Sequence, residues 1–232
     1  MIDIASNTIV KNGQPFIGAV LRQALPYVNR AIITVSEKSD DGTLQTLRKI
    51  EKEFNPKVYI DFENVKSPGE LTQVRQNQLM RVFEDWVWFL DDDDYWPTEK
   101  IEQMIELMEK HNEDKKVDAF TVCPFQVVDE KNYDLNWLNK WFTKFFKQQD
   151  GVHYRHPWPR DLIYKHDELL YWKKNSKVVK VPPRFFHLSY LKGGSFRNDE
   201  WAKKFGHTVG PMAKFPKEEM DNIWKIYDVL NE

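Results

Sequence analysis

Residues 86–97 read WVWFLDDDDYWP. An aromatic and aliphatic run ends abruptly in four consecutive carboxylates, Asp91, Asp92, Asp93 and Asp94. A short apolar run bounded by polar residues reads as a buried strand over Trp86–Leu90. The carboxylates then fall at the C-terminal end of that strand. Like charges this close raise one another's pKa values unless a cation compensates. One or two Asp residues suffice to cap the helix expected to start at Thr98. Four ask for something more. Hard divalent cations take oxygen ligands, and Mg²⁺ in particular keeps several waters and shares its ligands with phosphates. The run therefore points to a metal–diphosphate site at a strand end.

Working outward, the flanking segments alternate in period. Residues 4–10 (IASNTIV), 31–35 (AIITV) and 57–62 (KVYIDF) are short and β-branched, as strands are. Between them, Phe16, Ile17, Val20, Leu21, Ala24 and Leu25 recur at helical spacing over 14–25, with Pro26 at the end. Leu44, Leu47, Ile50 and Phe54 do the same after the Asp41-Gly42 turn. Ser67-Pro68-Gly69-Glu70 reads as a helix start, with Ser67 as cap and Glu70 closing a capping box. Downstream, Thr98–His111 is a further helix with Ile101, Met104, Ile105 and Met108 inward, and Ala119–Val128 a fifth strand. Strand and helix in strict alternation predict an α/β fold, a mostly parallel central sheet flanked by helices. Such sheets bind ligands where the carboxyl ends of their strands converge.

Composition fits that class. The chain has 232 residues, 41% hydrophobic and 30% charged, which argues for a packed core and against disorder. The single cysteine, Cys123, excludes an intrachain disulfide and suits a reducing compartment. The N-terminus, MIDIASNTIVKNG, lacks the layout of a signal peptide, and no apolar run approaches the ~18 residues a membrane span needs. A cytoplasmic location is expected. Charge is unevenly spread: residues 1–130 hold 15 Lys and Arg against 24 Asp and Glu, whereas 131–205 hold 16 against 7. An acidic half followed by a basic, aromatic-rich half suggests two tasks along one chain.

Four pieces carry a resemblance. TIVKNGQPFIGAVL at 8–21, IITVSEKSDDGT at 32–43, VRQNQLM at 74–80 and WVWFLDDDDYWP at 86–97 stand in the order and near the spacing found in family-2 glycosyltransferases of the GT-A fold. The resemblance covers roughly residues 5–130. It implies a nucleotide-sugar-binding half over 1–130, with 131–232 as an acceptor-side and C-terminal helical region of the same domain. The family's Asp-x-Asp signature, often followed by another Asp, reads here as Asp91, Asp93 and Asp94, with Asp92 at the variable position. By resemblance, Asp91 and Asp92 contact the nucleotide, and Asp91, Asp93 and Asp94 hold Mn²⁺ or Mg²⁺ against the donor diphosphate. The family's carboxylate after the second strand is replaced by Ser36, and Glu37 is the nearest acceptor for the N3–H of a uracil ring. Thr8, Val10, Lys11 and Asn12 would line the nucleotide cleft, and Arg75 would contact the base or a phosphate.

The second half resembles the family less. Residues 134–147 (DLNWLNKWFTKFFK) place Leu138, Trp141, Phe142, Phe145 and Phe146 on one helical side. The helix reads either as core-packing or as a membrane-surface helix, which would put the protein at the inner membrane surface. His187, in PPRFFHLSYLKGG, matches the His that many GT-A enzymes contribute as a third metal ligand. KGGSFRNDEW at 192–201 reads as a mobile loop whose Lys192 and Arg197 would close over the diphosphate. An inverting transferase needs a carboxylate base beside the acceptor hydroxyl. Asp129, Asp161, Asp167 and Glu168 are the candidates, and Asp161 ranks first for the aromatic residues around it. Lys and Arg interleaved with Trp and Tyr over 131–205 suit an anionic acceptor: a phosphorylated glycan, an envelope polymer or modified DNA. A neutral glycan bound by the same aromatic residues is the competing acceptor. The expected activity is metal-dependent transfer of a hexosyl or pentosyl group from a nucleotide-diphosphate sugar, UDP-sugar by preference, to a hydroxyl. The alternative is a catalytically impaired nucleotide-sugar or glycan-binding module.

Overall fold

The computed structural model describes residues 2–64, 68–112, 117–137, 140–155, 162–165, 168–169, 177–181, 185–189, 191, 211–223 and 226. In chain order the elements that matter here begin with β1 (Ile4–Val10), α1 (Ile17–Ala24), β2 (Arg30–Ser36), α2 (Thr43–Glu53), β3 (Val58–Glu63) and α3 (Pro68–Leu79). They continue with β4 (Trp86–Phe89), β5 (Asp94–Tyr95), α4 (Thr98–Asn112), β6 (Val117–Val122), β7 (Phe125–Gln126), β8 (Asn132–Asp134) and β9 (Phe142–Lys147). After them come β10 (Val152–Arg155), β11 (Leu162–Lys165), β12 (Glu168–Leu169), β13 (Lys177–Val181), β14 (Phe186–His187) and β15 (Met212–Lys214).

Seven strands form the central sheet in the order β13-β6-β9-β4-β1-β2-β3. The pairs β3–β2, β2–β1, β1–β4 and β13–β6 are parallel. Only β9 runs antiparallel, inserted between β4 and β6. This is the α/β, mostly parallel sheet with flanking helices that the alternating periods predict. Strands buried on both faces read as continuous apolar runs, and Ala31–Val35 of β2 and Trp86–Trp88 of β4 are buried throughout. One face packs against α1, α2 and α4 around Leu21, Leu47, Trp88, Ile101 and Met104. The other packs under α3 and β10, around Leu79, Val82, Val87, Phe146 and Tyr154.

The segment 134–147 corrects a sequence expectation. It is not a helix. Asp134 ends β8, Leu135–Trp137 form a single 3₁₀ turn, and Phe142–Lys147 are strand β9. Phe145 packs on Trp88 in one core while Phe146 packs on the other side of the sheet, both at most 1% exposed. A helix cannot bury consecutive residues on opposite faces, whereas a strand between two neighbours must. The aromatic spacing suited either period, and the gap between β4 and β6 selected the strand. The membrane-surface helix is therefore absent, and the peripheral contact built on it loses its basis. Among the described residues no helix is long and apolar enough to cross a membrane.

The expected fifth strand, Ala119–Val128, is also divided. β6 ends at Val122 and β7 starts at Phe125. Pro124 lies in the break and has no N–H for a ladder bond. The displaced β7 then joins a small sheet of order β5-β14-β7, outside the central one.

Candidate functional site

The small sheet builds the site. β14 pairs antiparallel with β5, setting His187 opposite Asp94, and parallel with β7. The Leu188 N–H donates to the Asp93 carbonyl at 2.8 Å and extends the match. His187 Nδ1 consequently lies 2.8 Å from Asp94 Oδ1 and 3.4 Å from Asp93 Oδ1. Asp93, Asp94 and His187 are all buried, and one ligand atom from each falls within 4.8 Å of the others. Two carboxylate oxygens and one imidazole nitrogen form a donor set that suits Mn²⁺ among divalent ions, and Mg²⁺ by its oxygens. The residues present therefore fit the ion that the resemblance implies.

Asp91 stands apart from this trio. The Asp94 N–H bonds the Asp91 carbonyl at 3.2 Å, so the run bends at once into a turn. The bend sends the Asp91 carboxylate toward two cations. Lys144 Nζ donates to Asp91 Oδ2 at 2.8 Å, and Arg75 Nη2 lies 3.5 Å from Asp91 Oδ1. Lys144 also bonds Asp94 Oδ2, so one ammonium bridges the two ends of the Asp run. The Lys144 side chain is 4% exposed, and its ammonium lies 5.0 Å from the ring centres of both Phe89 and Phe185. The Arg75 guanidinium stacks over Phe89 at 3.9 Å. Asp92 turns instead toward the β1–α1 loop, where a Cβ on Gly13 would sit 3.3 Å from its Oδ2 and only 2.5 Å from Val10 Cγ2. A side chain at position 13 would collide with Val10 and crowd Asp92, so glycine suits this turn.

Electrostatics divides the run further. Burial alone would push the Asp91 carboxyl up, but Lys144 and then Arg75 hold it well below the usual carboxylate range. Burial pushes the fully buried Asp94 up, and the charge of Asp91 adds to that against the pull of Lys144. Burial would lower the Lys144 pKa, yet Asp91 and Asp94 raise it, so the side chain is an ammonium ion.

Arg75 is aimed by its helix. Gln78, one turn later on the same face of α3, is buried and donates to the Thr8 carbonyl at 2.8 Å and to Thr34 Oγ1 at 2.9 Å. The carboxamide thus pins α3 across β1 and β2. Beside it, a cavity of about 310 Å³ opens between the end of β3 and α3, lined by Thr34, Asp61, Phe62, Glu63, Asn77 and Arg81 among others. The β1–α1 and β2–α2 loops are also tied together. Asp41 Oδ1 accepts from the Thr43 N–H at 3.0 Å and Asp41 Oδ2 from the Gln14 N–H at 2.9 Å, while the Gly13 N–H donates to Thr43 Oγ1 at 2.7 Å. Asn12, with φ 52°, accepts from the Asp40 N–H through its side chain. Asn tolerates that left-handed backbone better than most residues.

The structure thus gathers Arg75, Asp91, Asp93, Asp94 and His187 at one end of the sheet. Thr8 and Val10 are buried within β1, Lys11 and Asn12 are part-exposed at its end, and Glu37 is exposed just past β2. The Glu37 N–H donates to the Glu63 carbonyl at 3.2 Å, so two carboxylate-bearing residues adjoin at the ends of β2 and β3. Asp161, Asp167, Lys192, Arg197 and the loop at 192–201 lie outside the described residues. Sequence reasoning missed Lys144, which lies in the segment read as a helix, off its aromatic side. The available signal was a single charge inside the FTKFF run, costly in a buried strand unless paired.

No curated protein matches this sequence. Among solved structures, Staphylococcus aureus TarS 1-349 in complex with UDP-GlcNAc superposes with a TM-score of 0.55 at 13% identity, covering 99% of this chain and 72% of that one. The same fragment in complex with UDP gives 0.51 at 15% identity, over 80% of this chain and 60% of that one. The longer TarS chain gives 0.51 at 15% identity, and here too 80% of this chain is covered, but only 36% of TarS. This chain therefore spans little more than a third of that relative. At such identities the likeness is one of fold. The sequence pattern described as Glycosyl transferase family 2 matches residues 9–168, from the end of β1 through the Asp run to β12. That match takes in well over half the chain, and together with the shared sheet it establishes that the chain belongs to glycosyl transferase family 2.

Proposed function

We propose that this chain is a metal-dependent glycosyltransferase that moves a sugar from a UDP-sugar to a hydroxyl acceptor. The observation that carries the reading is the Asp93–Asp94–His187 cluster at one end of a family-2 sheet, with Arg75 beside it. TarS structures with UDP and with UDP-GlcNAc support a uridine nucleotide as donor. Asp93, Asp94 and His187 would hold Mn²⁺ or Mg²⁺, which supplies Lewis-acid neutralisation of charge growing on the departing diphosphate. Asp91 orients rather than ligates: its two cations fix the turn from which Asp93 and Asp94 project. Arg75 offers a donor fork to a phosphate or to the base. The cavity between β3 and α3 gives the base room, and Glu37 and Glu63 supply carboxylate acceptors for a uracil N3–H. The transfer is inverting in this reading, with the role of base assigned to Asp161 and that of diphosphate partners to Lys192 and Arg197. The basic, aromatic-rich stretch at 131–205 favours an anionic acceptor such as a phosphorylated glycan, an envelope polymer or modified DNA.

A second reading has one observation in its favour. Lys144 already satisfies one oxygen of Asp94, as a resident cation would in a module that binds nucleotide sugar without turnover. Calorimetric titration with UDP, with and without Mn²⁺, tests both readings alongside a donor-hydrolysis assay. The enzyme reading expects Mn²⁺ to strengthen UDP binding, Asp93→Ala to abolish that gain with the fold intact, and the donor to be turned over. Unchanged Mn²⁺-dependent affinity in Asp93→Ala would remove the metal assignment. Tight binding with no turnover would favour the module.

A further inference from the structure

Lys144 bridges Asp91 and Asp94 at the two ends of the Asp run, and the transfer chemistry makes no direct use of it. It reaches the run from β9, the antiparallel strand between β4 and β6. Its ammonium is closed off by Phe89 and Phe185 and contacts Asp91 Oδ2 and Asp94 Oδ2. Asp94 Oδ1 is left facing His187. We infer that Lys144 is a resident counter-ion that sets how strongly the Asp93–Asp94–His187 cluster holds a divalent cation. This rests on the metal site proposed above.

The physical case is one of competition. A cation beside a carboxylate weakens that carboxylate's hold on a second cation, and the effect is large where water is excluded. Occupying Asp94 Oδ2 also limits Asp94 to one oxygen toward the ion. With Arg75 and Lys144 both present, the three carboxylates of Asp91, Asp93 and Asp94 carry a net charge near −1 rather than −3. A divalent ion alone is then held weakly. The donor diphosphate supplies the missing anionic ligands, so ion and donor are retained together. Lys144 acts through Asp94 and is a positioning residue, not a catalytic one. Its second effect is structural: removing it leaves the buried Asp94 without its cation and the part-exposed Asp91 with Arg75 alone, which destabilises the fold until another cation replaces it.

The test measures Mn²⁺ binding in the absence of nucleotide, by the loss of the free-ion electron paramagnetic resonance signal. Wild type, Lys144→Met and Lys144→Arg are compared, each with a thermal melt with and without Mn²⁺. The expected result is a Kd for Mn²⁺ roughly tenfold or more tighter in Lys144→Met, as a nearby charge is removed. Its Tm should fall without the ion and recover with it by more than in wild type. Lys144→Arg keeps the charge and should keep the weak wild-type affinity. A merely structural lysine would lower Tm without tightening Mn²⁺. Should Lys144→Met not fold, Lys144→Gln is measured under the same criterion, since it keeps a donor without the charge. Affinity for Mn²⁺ no tighter in the neutral variant, while wild type binds Mn²⁺ together with UDP, overturns this inference alone. Tighter Mn²⁺ in the neutral variant with no UDP binding by either protein supports this inference and removes the UDP-sugar reading.

Discussion

His187 shows how one residue is committed by its pairing. Its ring stands against Asp94 because β14 pairs with β5, and it is only part of the donor set. Removing one ligand of three weakens a site without erasing it. His187→Ala should loosen Mn²⁺ in the presence of UDP by about 10–100-fold, the scale seen when a group at a metal site is perturbed. Calorimetry with UDP held saturating reads this, and an unchanged Kd would take His187 out of the site. Asp41 makes a different prediction, for pH. Burial works to raise its pKa, but the Thr43 hydroxyl and the Gln14 and Thr43 N–H groups outweigh it and hold the carboxyl below its ordinary 3.8. A depressed pKa means that the folded state prefers the ionised form. Its stabilisation is present above the unfolded pKa and is lost as pH falls through the folded one. Asp41→Asn should therefore cost about 1 kcal/mol near neutrality, and the gap to wild type should close as pH drops below about 4. Urea melts at several pH values measure it; a gap that widens in acid would contradict the assignment.

At the level of elements, β9 is the strand on which the site depends. It fills the sheet between β4 and β6 and presents Lys144 to the Asp run. As a helix, 134–147 would set Phe142 and Phe146 on one face with similar burial. As a strand it leaves Phe142 36% exposed and Phe146 fully buried. Phe146→Ala should cost about 3–5 kcal/mol, the usual range for deleting a buried ring. Phe142→Ala should cost about 1 kcal/mol or less, as rim substitutions do. Denaturant midpoints separate the two, and equal losses would speak for the helix. α3 shows the converse, an element whose existence was legible while its aim was not. The Ser-Pro-Gly-Glu start announces the helix. Nothing local says that Gln78 will bond a carbonyl of β1 and so turn Arg75 toward Asp91.

Across the whole molecule, the division near residue 130 is one of composition, not of folding units. β9 and β13 of the second half complete the sheet begun by the first, and β14 supplies His187. The acidic and basic halves therefore meet at one site. If the excess of Lys and Arg over 131–205 serves an anionic acceptor, binding must depend on salt. Phosphate contacts make log affinity fall linearly with log salt, with a slope of about −0.9 per neutralised duplex phosphate and about −0.7 for single strands. Acceptor KM should climb steeply from low to physiological salt, while donor KM shifts less. A flat acceptor KM would leave a neutral glycan as the better substrate class.

The sequence by itself determined the class of this protein. Strands β1 to β4, the helices between them and the placing of Asp91–Asp94 at a strand end all follow from local period and turn chemistry, which neighbouring residues set. Asp41-Gly42 announced its turn because a side chain bonding two residues ahead is a local event. The tertiary structure alone decided three things. It made 142–147 a strand, because aromatic residues suit either period until a gap in a sheet chooses. It supplied the strand pairing that brings His187 to Asp94 across 93 positions of chain, a contact that the family resemblance implied but no local pattern encodes. It also answered what balances the Asp run. Part of the answer is Lys144, a cation carried by the fold itself. A charge finds its partner through packing, and packing is written only in three dimensions.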